Sequence, residues 1–245
     1  MGIAYGDSAR FQATKGIVQD GLAINIDPSL PESYSGTGTS ITDMISGDYQ
    51  GRQNATKNGA IFKRDRTGGG HFLLDGTDDY ILILNVPDIN RNDRSHTYGI
   101  WVKPKHWKGN IVSASSHNPQ GGWNMPPISA NNYQFIGKFW SNNQIISTTY
   151  TTNTWYYLTL VWNYSATDSE RGQFFYVNGS LVGSQTNINF TPGPQHLFLG
   201  QANPGANNTG NLYGDIGPFH LYTYKALTAA EVLQNFNAMK NRFRL

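Results

Sequence analysis

Lys225-Ala226-Leu227-Thr228-Ala229-Ala230-Glu231-Val232-Leu233-Gln234-Asn235-Phe236 decides how the rest of the chain is read. Before it, as far as His220-Leu221-Tyr222, short apolar runs alternate with Gly, Asn and Pro. Here the apolar spacing becomes helical. Thr228 followed by Glu231 is a capping box: the hydroxyl accepts from the N3 amide and the glutamate reaches back to the cap amide. Leu227 and Val232 occupy the two positions of a hydrophobic staple, which fixes the angle at which the chain joins the helix. The pattern is a strand protein closed by one well-signalled helix.

Working back from that helix, strand signals come at short, regular intervals. Gly21 to Asp27 alternates apolar and polar side chains and stops at Pro28. His71-Phe72-Leu73-Leu74 and Tyr80-Ile81-Leu82-Ile83-Leu84 flank Asp75-Gly76-Thr77-Asp78-Asp79, a strong hairpin-type signal. Tyr98 to Pro104, Asn110 to Ser113, Tyr133 to Gly137 and Gln144 to Thr148 follow. Trp155 to Trp162 is the most β-prone run in the chain. Gln173 to Val177 leads through Asn178-Gly179, which demands positive φ, into Ser180 to Gly183; this is a two-residue hairpin. Leu197 to Gly200 and Tyr213 to Tyr222 complete the set. Residues 28–70 are mostly turn chemistry. About a dozen short strands at this spacing predict an all-β antiparallel sandwich with one short C-terminal α-helix. Residues 1–17 show no period and read as an N-terminal arm, leaving 18–245 as one domain.

Composition supports a large core and excludes several chemistries. The 245 residues include 12 Phe, 14 Tyr and 6 Trp, enough apolar area to fold without staples. No cysteine is present, so disulfides, thiolate zinc and thiol catalysis are excluded. A net charge of +2, with no basic stripe, argues against nucleic acid as a partner. No apolar run reaches membrane-spanning length, and Met1 to Asp7 lacks a signal peptide's regions, which points to synthesis in a cytoplasm without Sec export and to no membrane partner. The basic tail Lys240-Asn241-Arg242-Phe243-Arg244 reads as cations set against the negative end of the closing helix, with a small docking peptide as the second reading.

The blocks above resemble laminin-G-like, concanavalin A-like jelly rolls. Phe72 to Ile81 is similar to that family's F-x-F-D-G-x-D-D-Y segment, and Tyr98 to Pro104 to its W-V-K-P block. Trp155 to Val161 with Phe175 to Gly179 resembles its W…Y-V-N-G pair. Gly200, Gly214-Asp215-Ile216 and Tyr224 to Glu231 resemble its closing G-x-I…Y…A-L-s-x-x-E. The order holds over residues 20–240. Within the family, Gly21 to Asp27 with Ser33 to Thr39 and Asp43, and Glu231 to Ala238 with Arg242-Phe243, are similar to proteins of tailed phages, especially marine and cyanobacterial ones. Residues Gly51 to Arg66 and His117 to Asn132 depart from that group. The resemblance implies a virion structural protein, as a capsid decoration, head fibre or tail-fibre module. Its partners would be other virion proteins and sister subunits of a homo-oligomer.

The chemistry legible in the residues is sparse. Glycoside hydrolysis needs two carboxylates roughly 5–9.5 Å apart. The three glutamates, Glu32, Glu170 and Glu231, are never near-neighbours of another carboxylate on a strand. The expectation is a protein that is not an enzyme. Asp75, Asp78 and Asp79 form the densest carboxylate cluster and are the candidate metal ligands, with Ca²⁺ the ion such oxygens suit; hydrogen bonds to turn amides explain the same residues, and explain Gly76 as well. The six histidines show no metal-ligand spacing. Sugar binding is the alternative function, as an adhesin on host glycans. Two loops have the residue types for it, and the candidate ligand-binding residues are Asn118, Gln120, Trp123 and Asn124 in one and Asn207 and Asn208 in the other. Trp101, Trp155 and Trp162 sit in strand patterns and read as core.

Overall fold

The computed structural model describes residues 16–45, 55–65, 69–84, 86, 89, 93–115, 124–138, 144–164, 171–188, 196–201 and 210–245, with the backbone alone at 115 and 124–127. Within these, sixteen strands form two antiparallel sheets, followed by the expected helix. The strands are β1 (Leu22–Ile26), β2 (Ser40–Ile41), β3 (Ala55–Asn58), β4 (Ile61–Arg64), β5 (Gly70–Asp75), β6 (Tyr80–Ile83), β7 (His96–Pro104) and β8 (Gly109–Ser115). They continue as β9 (Asn124–Asn131), β10 (Gln134–Gly137), β11 (Ile145–Thr149), β12 (Tyr156–Asn163), β13 (Gly172–Val177), β14 (Ser180–Thr186), β15 (His196–Leu199) and β16 (Tyr213–Thr223). Sheet I runs β14-β13-β12-β7-β16-β5-β4, with β1 also pairing to β16; sheet II runs β11-β10-β9-β8-β15-β6-β3-β2. Among the described residues no helix is long and apolar enough to cross a membrane.

Strand alternation fills the space between the sheets. Ile100, Val102, Leu158, Leu160, Phe175, Ile216, Phe219 and Leu221 of sheet I meet Ile81, Ile83, Val112, Ile128, Phe135, Leu197 and Leu199 of sheet II. The intervening residues of sheet I point outward, yet they are also apolar: Trp101, Tyr157, Val161 and Tyr222 form a second core with Ile17, Val18, Leu227, Val232, Met239 and Phe243. Central strands covered on both faces lose the in/out alternation and become continuous apolar runs. That is why Trp155 to Trp162 reads as it does. Trp101 and Trp162 are fully buried and Trp155 is 7% exposed, as expected of core tryptophans.

The covering element is α1 (Ala229–Met239). Thr228 caps it, accepting from the Glu231 N–H at 3.3 Å, while the Glu231 carboxylate accepts from the Thr228 N–H at 2.8 Å. Val232, Asn235 and Met239, spaced three and four apart, are the buried stripe. After α1, Lys240–Phe243 form a 3₁₀ turn that drops Phe243 onto Trp101 with ring centroids 4.0 Å apart. The tail meets the helix-end expectation in part: Lys240 is the C-cap of α1, and Lys240 and Arg242 lie in the last turn of the 3₁₀ continuation. The last turn of α1 itself carries no basic residue, and Arg242 forms a bidentate pair with buried Asp27 at 2.7 and 2.9 Å. Ile17, the last residue of the expected arm, is 3% exposed in the second core; residues 1–15 lie outside the described residues.

Two turn readings separate. Asn178 and Gly179 have φ of 52° and 80° and join β13 to β14 as the expected hairpin. Asp75 to Asp79 does not make a hairpin, because β5 belongs to sheet I and β6 to sheet II. The two strands have partners in different sheets, and the connection between them is held by its own carboxylates. Asp79 accepts the Asp75 N–H at 2.9 Å and Asp75 accepts the Thr77 N–H at 2.7 Å. Turn amides satisfied by side chains leave the two strands free to part, β5 toward β4 and β16, β6 toward β3 and β15. The stretch expected to be mostly turns also contributes the short strands β2, β3 and β4.

The sheet edges are blunted by different devices. Register shifts interrupt β14 and β11, β4 carries Lys63 and Arg64, and β2 has two residues.

Two consequences can be measured. Asn235 is fully buried, accepts the Val18 N–H at 2.8 Å and donates to the Tyr222 hydroxyl at 2.9 Å. Asn235→Ala strands the Val18 amide and should cost about 2–3 kcal/mol by denaturant titration. His96 and His220 are fully buried, and burial lowers their pKa from 6.5 to about 3 and about 4. Both stay neutral while folded, so the unfolded chain binds the extra protons below pH 6.5. Stability should therefore be full above that pH and fall as pH drops from 6.5 toward 4, by up to about 1.4 kcal/mol per pH unit for each imidazole. Equal denaturation midpoints at pH 7.5 and pH 5 would contradict this.

Candidate functional site

The ends of β5, β7 and β9 meet the starts of β8, β10, β12 and β16 at one end of the sandwich. Register fixes this: Tyr213 pairs with Asp75, and Gly214 with Pro104. Lys105 N–H donates to the Tyr213 carbonyl and Asn153 N–H to that of Pro104.

Of the expected sugar ligands, Asn118, Gln120, Trp123, Asn207 and Asn208 lie outside the described residues, as does the side chain of Asn124. The flanks of their loops are nonetheless placed. Asn124 begins β9 opposite Ser115, the last residue of β8. The other loop leaves from Gln201 and returns at Gly210, beside the start of β8: Gly200 N–H donates to the Ile111 carbonyl, and Asn110 donates to that of Gly210. The two loops thus depart from opposite ends of β8, about 20 Å apart at roughly 3.3 Å per residue.

At the end where Gly210 meets the start of β8, the sequence reading overlooked a second group of aromatics. Trp107 is half-buried in the β7–β8 turn, with His106 exposed beside it and the Lys108 ammonium 4.9 Å from its ring centroid. Tyr133, 46% exposed, stands next to it in the β9–β10 turn. Asn132 and Tyr133 have φ of 50° and 61°, an uncommon conformation for a bulky side chain. Hydrogen bonds hold it there. Tyr133 N–H donates to the Trp107 carbonyl at 3.1 Å, Tyr150 N–H to the Tyr133 carbonyl at 2.7 Å, and the Tyr150 hydroxyl to the His106 carbonyl at 2.7 Å. The available signal was a Trp inside the polar turn Lys105-His106-Trp107-Lys108, and Asn131-Asn132 ahead of Tyr133.

Asp75, Asp78 and Asp79 lie at this end too. Asp75 and Asp78 are exposed and Asp79 buried, each offering an oxygen within 4.8 Å of the others. Burial raises the pKa of Asp79, and its two acidic neighbours push the same way. Thr228 and Glu231 are structural caps, as read.

A cleft of about 450 Å³ lies nearby, lined by Lys103, Asn153, Thr154, Trp155, Phe243 and Arg244 among others. Two of its charges are paired below it, Lys103 with Asp215 and Arg242 with Asp27. Buried Asp215 takes Lys103 at 3.0 Å and Lys105 at 3.2 Å, and His71 stands 3.5 Å from Asp215 and 3.8 Å from Asp65. Burial lowers the His71 pKa, so these last contacts are not ion pairs at neutral pH. Trp155 is packed by His71, Phe243 and the Lys103 ammonium. No open ring face is left for a sugar, whereas Tyr133 keeps one.

The laminin G model of the concanavalin A-like lectin/glucanases superfamily matches residues 75–233. The chain belongs to this superfamily. Its structure is similar to that of the Trypanosoma rangeli sialidase, with a TM-score of 0.65 and 16% identity over 94% of this chain and 34% of that one. It is also similar to the botulinum neurotoxin serotype D binding domain (TM-score 0.60, 15% identity, 89% and 52% coverage) and to the botulinum neurotoxin type G receptor binding domain (0.55, 17%, 89% and 51%). This chain spans about a third of the sialidase and about half of the toxin domains. At such identities the likeness shows the fold alone. No curated protein sequence matches this one.

The expectation that the protein is not an enzyme is corrected by these relatives. Structures of this fold include sialidases, one of them solved as a covalent intermediate, as well as toxin binding domains. The glutamate count behind that expectation also left out aspartates such as Asp65 and Asp215, which the fold brings to either side of one histidine.

Proposed function

We propose that this superfamily member binds carbohydrate at the loop end formed by Trp107 and Tyr133, and that it does so on the surface of a phage particle. The observation that carries the first part is the Trp107–Tyr133 pair. A half-buried indole and an exposed phenol ring come from adjacent turns whose backbones are joined by the Tyr133 N–H to Trp107 carbonyl bond, and aromatic faces are what the apolar C–H face of a sugar packs against. Because the two turns are tied together by backbone hydrogen bonds, little backbone freedom is lost on binding. Lys108 and His106 supply polar groups at the same end. The lectin-type fold and its recurrence in toxin receptor-binding domains support the same reading.

Placement on a virion rests on the resemblance of residues 21–43 and 231–243 to phage laminin-G-like proteins. In that setting the sandwich is a rigid exposed body. The segment before Gly16 attaches it to other virion proteins or to sister subunits.

On a glycan array followed by calorimetry with the strongest hit, Trp107→Ala and Tyr133→Ala should each weaken binding by about tenfold or more, equivalent to about 1.4 kcal/mol, without changing the denaturation midpoint. Loss of binding on Trp123→Ala, with Trp107→Ala and Tyr133→Ala unaffected, would refute this site. For the virion role, removal of residues 1–15 should abolish incorporation into assembled particles; particles that retain the shortened protein at full occupancy would refute that attachment.

A further inference from the structure

We propose that Asp75, Asp78, Asp79 and Asn211 together hold a calcium ion that fastens the crossing between the two sheets to the start of β16. The carboxylates bring one oxygen each to within 4.8 Å of one another. Two oxygens on one Ca²⁺, at 2.3–2.6 Å each, lie at most about 5 Å apart, so the set fits one coordination sphere.

A residue outside the cluster points to the same place. Asn211 is 7% exposed, and its Nδ2 donates to the Thr77 carbonyl, in the middle of the Asp75–Asp79 turn. The other atom of that amide, Oδ1, is buried and has no hydrogen-bond partner among the described residues. Buried amide oxygens are seldom left unpaired, and a hard cation beside Thr77 would satisfy this one. Gly59 completes the cradle. It has φ of 68°, and a Cβ there would fall on the Asp79 Oδ1, so a glycine keeps that oxygen clear.

The turn hydrogen bonds leave ligand capacity. Asp75 uses Oδ1 on Thr77 and Asp79 uses Oδ2 on Asp75, which frees the other oxygen of each. Exposed Asp78 accepts no hydrogen bond from the described residues. Irregular geometry and mixed carboxylate and amide oxygens suit Ca²⁺ better than Mg²⁺, which demands a near-ideal octahedron. An ion here would also offset the mutual repulsion of three carboxylates at a point where the chain passes from sheet I to sheet II. It binds independently of any sugar.

Terbium luminescence on the full chain is the test, because Tyr213 pairs with Asp75 and serves as the sensitiser. Tb³⁺ should bind saturably and be displaced by Ca²⁺ at about 0.1–1 mM, the range of extracellular modules, while equal Mg²⁺ leaves it in place. Asp78→Asn removes a charge without touching a turn hydrogen bond and should weaken Ca²⁺ about tenfold or more. Asn211→Ala should weaken it as well, and Ca²⁺ should raise the thermal midpoint of the wild type but not of Asp78→Asn. Absence of saturable Tb³⁺ binding, or an Asp78→Asn protein that binds Ca²⁺ as tightly as the wild type, overturns the proposal.

Discussion

Coverage of sheet I on both faces is the constraint on which the rest of the structure depends. Strands β7, β12 and β16 bury one face against sheet II and the other against α1, the 3₁₀ turn and Ile17-Val18. The second layer is more than apolar. Asn235 bonds both Val18 and Tyr222, and the Tyr222 hydroxyl returns to the Val18 carbonyl. One side chain on α1 therefore ties the beginning of the domain to its central strand. The Arg242–Asp27 pair adds a second tie between the end of the chain and β1. In a low-dielectric layer such a network holds one arrangement, because every alternative leaves a polar group unsatisfied.

That coverage decides where ligand chemistry can take place. The outer face of sheet I is filled by α1, and the sheet edges are shortened, charged or bulged. The loop ends remain. At the end described here, the same short connections that reverse the chain also present Trp107, Tyr133, Tyr213 and the three aspartates. Strands fix the roots of these loops, so their side chains are held in place without a core of their own. The cleft beside Trp155 shows the contrast: its lysines are spent on Asp215 and its indole is enclosed, so it serves the fold.

The superfamily to which the chain belongs includes both binding domains and chains with catalytic activity, so its fold is a platform on which different sites are built. What distinguishes this member is local. A tyrosine is held at positive φ by two backbone bonds, and a crossing between sheets is stitched by its own carboxylates. Both are departures from the local rule, and such departures mark the places where a structure maintains something other than stability.

The sequence by itself determined the class of fold and its closure. Thr228, Glu231, Leu227 and Val232 specify the helix start through contacts within one turn, and Asn178-Gly179 specifies its hairpin through backbone sterics. Those interactions are local, so they are written in neighbouring residues. The buried tryptophans were legible for a similar reason, since alternation and apolar runs record burial directly. What only the tertiary structure decided are relations between distant residues. Asp75 to Asp79 resembles a hairpin until the partners of β5 and β6, from about 22 residues away for β3 to more than a hundred for β15 and β16, pull the two strands into different sheets. Arg242 looks like a helix-end cation until Asp27 is brought to it. Trp107 and Tyr133 are ordinary turn residues until the β7–β8 and β9–β10 connections fold to one end. Pairing between sheets is set by which surfaces bury best against each other, and no short stretch of sequence contains that information.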